Sequence, residues 1–294
     1  MKHIFIINPM AGKGKATELI PVIEDYFKDK ADEYRIQVTD YPGHATEIAR
    51  EYSSIEECRI YSVGGDGTVN EVVNGIAGTQ SSLGVIPAGS GNDFIRSITT
   101  TYNINDILVN TINGEVKNID LAKANNKYFI NISSIGFDAD VVVNADKFKK
   151  VSGITGSMAY VISIIYTVIQ KRISKIKIHI DDSEMELKLL LAAIANGKFY
   201  GGGMLAAPEA KIDDGLFDIC LISEASRFQI LSLFPKYIRG EHGQLKEVQF
   251  LRGKKIKIES SEDLRLNIDG EIFPSFNIEF EIIEKGIKVI FPTI

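Results

Sequence analysis

The stretch RIYSVGGDGTVNEVVNGI, residues 59–76, decides the fold of this chain. Residues 59–63 contain β-branched and aromatic side chains and predict a short buried strand. A glycine cluster follows at Gly64, Gly65 and Gly67, where a tight turn surrounds Asp66. Apolar residues then recur at helical spacing, at Val69, Val72, Val73 and Ile76. Strand, glycine turn and helix in this order are the repeating unit of a parallel α/β sheet.

The same alternation of strand and helix fills the first part of the chain. Strands are predicted at residues 3–7, 34–39 and 83–86, with helices between them. This pattern predicts an α/β domain, residues 1–122, with a mainly parallel sheet covered by helices on both faces. Ligands of such sheets bind beyond the carboxyl ends of the strands, so the glycine turns mark the expected site.

The second part of the chain is dominated by strands. Residues 127–134, 254–259 and 264–268 alternate apolar and polar side chains, which is typical of antiparallel sheets with one solvated face. We therefore expect a C-terminal antiparallel β-sandwich domain, residues 123–294. Its last strand, within residues 287–294, is a candidate to return and pack on the first domain.

Two helices are predicted to interrupt these strands, near residues 154–171 and 226–239. The first is apolar around most of its surface and is flanked by lysines and Arg172. It fits either a core helix between sheets or an interfacial helix that contacts anionic lipid. The second helix is an alternative candidate for the interfacial role. No run reaches the roughly 20 apolar residues that a membrane-spanning helix needs.

The composition is that of an ordinary globular protein, with 45% hydrophobic and 24% charged residues. The net charge of −6 gives no general attraction for nucleic acid, so we expect no nucleic-acid partner. Cys58 and Cys220 lie in apolar runs far apart and are interpreted as buried small hydrophobes in a reducing cytosol.

Glycine-rich segments follow three of the predicted strands, at residues 8–12, 64–68 and 87–93, and a fourth segment is Gly201–Gly203. Glycines let backbone N–H groups approach phosphate oxygens, and a following helix adds its positive N-terminus. Turns at the ends of parallel strands converge on one edge of the sheet. The chain has neither a Walker A loop nor a G-x-G-x-x-G fingerprint at a strand end, so the predicted phosphate site is of another kind.

Several motifs resemble those of the diacylglycerol kinase catalytic family, which also includes sphingosine and ceramide kinases. VGGDGTVNE, residues 63–71, is similar to the family's nucleotide-binding motif, and PAGSGNDF, residues 87–94, to its second motif, with Ser90 where threonine is usual. The segment Ile7-Asn8-Pro9 resembles the opening strand and loop of the family. Thr39, followed by Gly43-His44-Ala45, fits a further family segment.

The resemblance continues through the second half and covers nearly the whole chain. NISSIGFD, residues 131–138, resembles the family's domain-crossing strand and its G-F-D turn. Residues 196–218 resemble a glycine-rich segment followed by an acidic signature. Ile268-Asp269-Gly270-Glu271 matches the family's D-G-E near the C-terminus.

The resemblance implies ATP as the phosphoryl donor and Mg²⁺ as the metal. The nucleotide would be held by backbone amides, hydroxyls and one side-chain amide. These expected binding residues are Asn8, Pro9, Met10, Ala11, Gly12, Thr39, Gly64, Gly65, Asp66, Gly67, Thr68, Val69, Asn70 and Ser90. Lys13 and Lys15 flank the first turn, and each is either a phosphate contact or a solvated side chain.

Three carboxylates are the candidate catalytic residues. Asp66 lies inside a phosphate turn, where its charge repels phosphate unless a magnesium ion intervenes, so we assign it to metal or ribose contact. Asp93 is a second candidate of this kind, or a helix N-cap. The resemblance implies that Glu271 is the general base for the lipid hydroxyl, whereas the residues alone favour a plain hairpin turn.

A second magnesium site is implied by the resemblance. It would consist of the Asp214 carboxylate with the carbonyls of Lys211 and Leu216, and oxygen ligands of this kind suit magnesium. A solvated acidic turn is the alternative for the same residues.

These observations predict a lipid kinase that transfers the γ-phosphoryl group of ATP to diacylglycerol and yields phosphatidic acid. The alternatives are a kinase of another lipid alcohol such as a sphingoid base or ceramide, an NAD kinase, and a catalytically silent lipid-binding module. The enzyme is expected to be cytoplasmic and peripheral to the inner face of the cell membrane, where it meets its lipid. Exposed sheet edges make a homodimer a further expectation.

Overall fold

The computed structural model describes residues 1–100, 103–151 and 156–293. These residues form seven α-helices, which are α1 Ile20–Phe27, α2 His44–Ile55, α3 Asp66–Ile76, α4 Ile104–Ile112, α5 Phe137–Lys149, α6 Gly156–Gln170 and α7 Arg227–Arg239. They also form fifteen strands, which are β1 Lys2–Ile7, β2 Glu33–Val38, β3 Cys58–Gly64, β4 Ser82–Pro87, β5 Glu115–Ala124, β6 Lys127–Phe129, β7 Ile132–Gly136, β8 Ser174–Ile180, β9 Ser183–Ala195, β10 Phe199–Tyr200, β11 Met204–Leu205, β12 Phe217–Ser223, β13 Val248–Gly253, β14 Lys255–Ile268 and β15 Glu271–Phe291.

The N-terminal strands pair so that three turns reach the same sheet edge. β1 lies between β2 and β3 and is parallel to both, and β3 is parallel to β4. Ile7 is in register with Val63, and Gly64 is in register with Pro87. Because β1, β3 and β4 therefore end side by side, the glycine-rich turns that follow them lie next to one another.

Helices α2 and α3 pack closely because a glycine lies between them. A Cβ atom on Gly75 of α3 would lie 2.5 Å from the Cβ of Ala49 on α2. The close approach fixes the direction in which α3 leaves the Gly64–Thr68 turn. The N-terminus of α3 is thereby aimed at the edge where the three turns meet.

Strand pairing does not stop at the predicted domain boundary. The long strand β15 is antiparallel to β14 and β5, and its last residues run parallel to β4, with Lys288 opposite Ser82. The boundary near residue 122 lies inside β5. There Leu121 packs with the apolar residues of the first half and Ala122 with those of the second half. The predicted division into residues 1–122 and 123–294 stays a prediction.

The strand prediction for residues 127–134 is wrong in one respect, because two strands, β6 and β7, replace a single one. The break lies at Ile130 and Asn131. The Asp269 carboxylate accepts hydrogen bonds from the backbone N–H groups of Ile130 and Ile132, which are therefore not available to a regular ladder. Conversely, residues 254–259 and 264–268 belong to the single bulged strand β14.

The two helices predicted in the second half are present as α6 and α7, although residues 154–155 of the first prediction lie outside the described residues. Helices α4 and α5 were missed. The Val141-Val142-Val143 run in α5 is β-branched and does not favour a helix by intrinsic propensity; packing of its buried face overrides that preference. Cys58 and Cys220 are buried and unpaired, as predicted.

Candidate active site

The three N-terminal turns and the D-G-E turn line one cleft of about 780 Å³. One side, called here the nucleotide wall, consists of residues 8, 10–12, 65–69, 89–91 and 93. The opposite side, called the acceptor wall, consists of residues of the second half. These residues are Ile130, Asn131, Ile132, Asp138, Val142, Lys149, Tyr160, Tyr200, Gly201, Gly202, Met204, Asn267, Asp269, Gly270 and Glu271.

The turns of the nucleotide wall support one another through backbone and side-chain hydrogen bonds. The Gly64 carbonyl accepts from the N–H groups of Ala88 at 2.8 Å and Gly89 at 3.1 Å. The Asn8 side chain donates to the Thr68 hydroxyl at 3.1 Å. Glycine is required where the turns touch, because a Cβ on Gly89 would lie 2.4 Å from the Cα of Gly65. The wall is therefore built mainly from backbone.

The N-terminus of α3 opens directly into the cleft. The preceding residue, Gly65, has no side chain that could cap the helix, so the first N–H groups of α3 remain available to an anion. Asp66, Gly67, Thr68 and Val69, all predicted to bind the nucleotide, line the cleft here. Ser90 also lines the cleft and is exposed.

Four predicted nucleotide-binding residues do not line the cleft. Pro9 and Gly64 shape the turns from behind. Thr39 is buried, and its backbone N–H donates to the Ile7 carbonyl at 2.9 Å. The Asn70 amide donates instead to the Tyr128 carbonyl and to the Asp269 carboxylate, both at 3.1 Å.

Asp66 and Asp93 are linked to each other and to the acceptor wall. The Asp93 backbone N–H donates to Oδ1 of Asp66 at 2.7 Å, and the Gly202 N–H donates to Oδ2 of Asp93 at 2.9 Å. Burial raises the pKa of Asp93 to about 6. Asp93 precedes the short 3₁₀ helix Phe94–Ser97 but makes no side-chain cap hydrogen bond, so its alternative role as an N-cap is not supported.

Magnesium fits the donor set at Asp66. Oδ1 is taken by the Asp93 N–H, which leaves Oδ2 as a hard oxygen ligand next to the phosphate turns. Magnesium is commonly bound by one or two carboxylates together with substrate phosphates and waters. Among the described residues, no group of three or more His, Cys, Asp or Glu side chains is arranged to hold a metal by itself, so an ion here would depend on the nucleotide.

The predicted second magnesium site has a competing cation. Oδ2 of Asp214 lies 3.4 Å from the Arg252 guanidinium, and Oδ1 accepts from the Leu216 N–H at 3.2 Å. Arg252 also pairs with Asp218 at 2.9 Å. The site at Lys211, Asp214 and Leu216 stays a prediction, and a metal there would share its carboxylate with Arg252.

Glu271 is exposed at the mouth of the cleft, at the start of β15. The turn before it is held by Asp269, whose carboxylate accepts from Asn70 and from the N–H groups of Ile130 and Ile132 at 3.1–3.2 Å. Burial raises the pKa of Asp269 to about 6, and the Asn70 hydrogen bond opposes this shift. Through Asn70, the α3 helix of the nucleotide wall is tied to the turn that carries Glu271.

The sequence reasoning missed the roles of Asp269, Asp138 and Gly202. All three were inside quoted motifs, namely the D-G-E turn, the G-F-D turn and the fourth glycine segment. The signal that the sequence offered for these residues was that they belong to these motifs. The partners of Asp269 and Gly202 lie far away in the chain, since Asn70 is 199 and Asp93 is 109 positions distant. Asp138 contacts Ser134, only four positions away.

Helices α6 and α7 each have a buried and an exposed apolar side. In α6, Ile164 and Val168 are buried, whereas Val161 and Ile165 are more than half exposed. In α7, Phe228 is 86% exposed. In the part of the chain that the structure describes, no helix is both long and apolar enough to cross a membrane.

Comparison with known proteins agrees with this architecture. Residues 2–124 match the diacylglycerol kinase catalytic domain, and residues 131–291 match the YegS C-terminal NAD kinase beta sandwich-like domain. The second match confirms the predicted C-terminal β-sandwich.

Relatives span almost the whole chain. A protein named diacylglycerol kinase from Bacillus subtilis is 30% identical over 99% of this chain and 97% of its own length, and one from Staphylococcus epidermidis is 31% identical over 98% and 91%. The crystal structure of a candidate diacylglycerol kinase from Bacillus anthracis superposes with a TM-score of 0.78 at 28% identity, covering 99% of this chain and 97% of that one. The chain therefore belongs to the diacylglycerol kinase family.

Proposed function

We propose that this protein transfers the γ-phosphoryl group of ATP to the hydroxyl of diacylglycerol and yields phosphatidic acid. The observation that carries the proposal is that Glu271 and three glycine-rich turns line one cleft. The relatives named diacylglycerol kinase support the choice of acceptor. NAD kinase and kinases of other lipid alcohols are the alternatives that an assay must separate.

Each wall has its own part in the reaction. Backbone N–H groups of the nucleotide wall and the N-terminus of α3 bind and orient the phosphates. Asp66 offers Oδ2 to a magnesium ion, which when bound neutralises charge on the phosphates. On the acceptor wall, Glu271 accepts the proton of the attacking hydroxyl, and Asp269 keeps the Glu271 turn in place.

The test is a transfer assay with the purified full chain, ATP labelled at the γ-phosphate, and magnesium. Diacylglycerol, ceramide, sphingosine and NAD are offered separately, and the labelled products are resolved. We expect labelled phosphatidic acid from the wild type, and about a hundredfold less label or lower still from Glu271→Gln. Transfer to NAD alone, or to none of the acceptors, would contradict the proposal.

We further propose that the enzyme acts in the cytoplasm at the inner face of the cell membrane. Helices α6 and α7 are adjacent, since the Arg227 guanidinium donates to the Ile169 carbonyl at 2.9 Å. Their exposed apolar side chains, with basic residues such as Arg172 and Lys236 nearby in sequence, suit an anionic lipid surface. Co-sedimentation with anionic and with neutral vesicles tests this contact, and the mass in solution tests the expected homodimer.

A further inference from the structure

Helix α3 is joined to the second half of the chain by two asparagines. Asn70 and Asn74 are four residues apart and therefore lie on the same face of the helix. The Asn74 side-chain amide donates to the Tyr128 carbonyl at 2.9 Å, and the Tyr128 N–H donates to Oδ1 of Asn74 at 3.0 Å. One side chain thus satisfies both main-chain polar groups of Tyr128, as a neighbouring strand would.

These contacts complete an otherwise open strand edge. In the ranges that the structure describes, the strand that contains Tyr128, β6, pairs with a single other strand, β5. An open edge leaves N–H and C=O groups without partners. The two asparagines take the place of a second partner strand. Because they bind main-chain atoms, the attachment of α3 to β6 does not depend on the side chain at residue 128.

Asn74 also fixes the orientation of the Asn70 amide. Its Nδ2 donates to the Asn70 main-chain carbonyl at 2.9 Å and to Oδ1 of Asn70 at 3.2 Å. Since Oδ1 of Asn70 faces this donor, Nδ2 of Asn70 is directed to the Tyr128 carbonyl and to Oδ2 of Asp269. Loss of the Asn74 side chain would therefore remove one direct contact to β6 and loosen the contact to Asp269.

Both ends of this connection reach the cleft. The N-terminus of α3 opens into the nucleotide side, roughly 12 Å from Asn74 at 1.5 Å per residue. On the other side, Ile130 follows Tyr128 by two residues, lines the cleft and donates to the Asp269 carboxylate at 3.2 Å. Asp269 precedes Glu271 by two residues. A shift of α3 relative to β6 would therefore change the distance between the phosphate turns and the proposed base.

We propose that Asn74 is a positioning residue, which together with Asn70 sets the separation between the two walls of the cleft. This role rests on the proposed lipid kinase function, because transfer between two bound substrates requires a fixed separation. Asn74 is not among the residues that line the cleft, so it acts through Tyr128 and Asn70. Displacement of reacting groups by about 1 Å can lower a rate by about a hundredfold.

The main test is Asn74→Ala in the full-length enzyme. Alanine is compatible with the helix and removes the contacts to Tyr128 and Asn70. We expect kcat with diacylglycerol to fall about tenfold or more, whereas the KM and the calorimetric Kd for ATP should change by less than about twofold. Hydrogen exchange should become faster at the Tyr128 N–H. Unchanged kcat, or a higher KM for ATP with kcat retained, would overturn the proposal.

Asn113→Ala is the matched control for a loss of stability alone. The Asn113 side chain also makes two hydrogen bonds, to the Val109 carbonyl at 2.8 Å and from the Tyr26 hydroxyl at 2.7 Å, and none of these residues lines the cleft. This variant should unfold at a lower temperature and keep kcat when assayed well below that temperature. If both variants lose kcat in proportion to their loss of thermal stability, Asn74 is only structural and the proposal fails.

Asn74→Asp is a milder change that applies if the alanine variant does not fold. A carboxylate still accepts from the Tyr128 N–H, but it cannot donate to the Tyr128 carbonyl or to Asn70. At pH 8 we expect the same pattern, with kcat reduced and the KM for ATP retained. Wild-type kcat in this variant would show that the donor of Asn74 has no positioning role.

The wild-type enzyme separates the two levels of inference. If it phosphorylates no lipid, the proposed function fails and the role of Asn74 in transfer fails with it. If it phosphorylates diacylglycerol while the Asn74 variants keep wild-type kcat, the function stands and only the positioning role is rejected.

Discussion

The two walls of the cleft differ in their main hydrogen-bonding groups. The nucleotide wall offers backbone N–H donors from glycine-rich turns and from the N-terminus of α3. The acceptor wall offers carboxylates, among them Asp138, Asp269 and Glu271. Donors suit an anionic triphosphate, and acceptors suit an alcohol that must lose a proton. The difference supports the proposed placement of one substrate on each wall.

The largest effect is expected at the one carboxylate of the acceptor wall that is exposed. Glu271→Gln removes the proton acceptor but keeps the size of the side chain, so kcat should fall by about 10²–10⁴-fold. Nucleotide binding should be largely unchanged, because Glu271 lies across the cleft from the phosphate turns. Steady-state kinetics and ATP titration calorimetry measure both quantities. Glu262→Gln, at an exposed glutamate of β14, is the control, and near-wild-type turnover of Glu271→Gln would refute the base assignment.

Asp66 and Asp93 are exceptions on the nucleotide wall, since both are carboxylates among donors, and the replacement of Asp66 should give the next largest effect. Asp66→Asn removes the charge that holds magnesium and should weaken the apparent affinity for magnesium or nucleotide by about tenfold or more. A magnesium titration of activity at fixed ATP measures this. Unchanged affinity for both would reject the role.

The residues of the two walls differ in how well they could be predicted from the sequence, because the walls are built differently. The nucleotide wall is backbone that follows strands, and GGDGT with the neighbouring glycine segments therefore located it. The roles of Asn70 and Thr39 could not be predicted, because hydroxyl and amide side chains near a phosphate turn fit many partners. The structure pairs Asn70 with a residue 199 positions away.

The acceptor wall depends on such distant pairs throughout. Asp269 was visible as part of a motif, but its hydrogen bonds to Ile130 and Ile132 exist only after β7 and β14 have paired. The same bonds divide the strand that alternation predicted for residues 127–134. Helix α5, which carries Asp138 in its first turn, contains a β-branched run at residues 141–143, so tertiary packing overrides its local preference there.

Asp269 joins the two walls, and its variants test whether that link positions Glu271. Asp269→Asn leaves one acceptor for two backbone N–H groups, which should lower stability by about 1–3 kcal/mol and kcat by about tenfold, with little change in the KM for ATP. Asn70→Ala should act through the same contact. The two variants combined should therefore cost less than the sum of their separate effects on kcat; strict additivity would show that the Asn70–Asp269 hydrogen bond does not position the turn.

The smallest expected effect is a change with pH in the free energy of unfolding. It is caused by Asp93, whose carboxylate joins the two walls by accepting a hydrogen bond from the Gly202 N–H. Burial raises the pKa of Asp93 to about 6, from about 3.9 in the unfolded chain. The folded state therefore binds the proton more tightly, and this residue's contribution to the free energy of unfolding falls as pH rises from about 4 to about 6. Asp93→Asn keeps an acceptor for the Gly202 N–H but cannot titrate. Between pH 4 and pH 6, the free energy of unfolding of this variant should therefore rise relative to that of the wild type by on the order of 1–2 kcal/mol. Urea unfolding of both proteins between pH 4 and pH 7 measures the difference. A constant difference across this range would show that the Asp93 carboxyl does not titrate with a raised pKa in the folded protein, and would contradict the burial of its charge between the two walls.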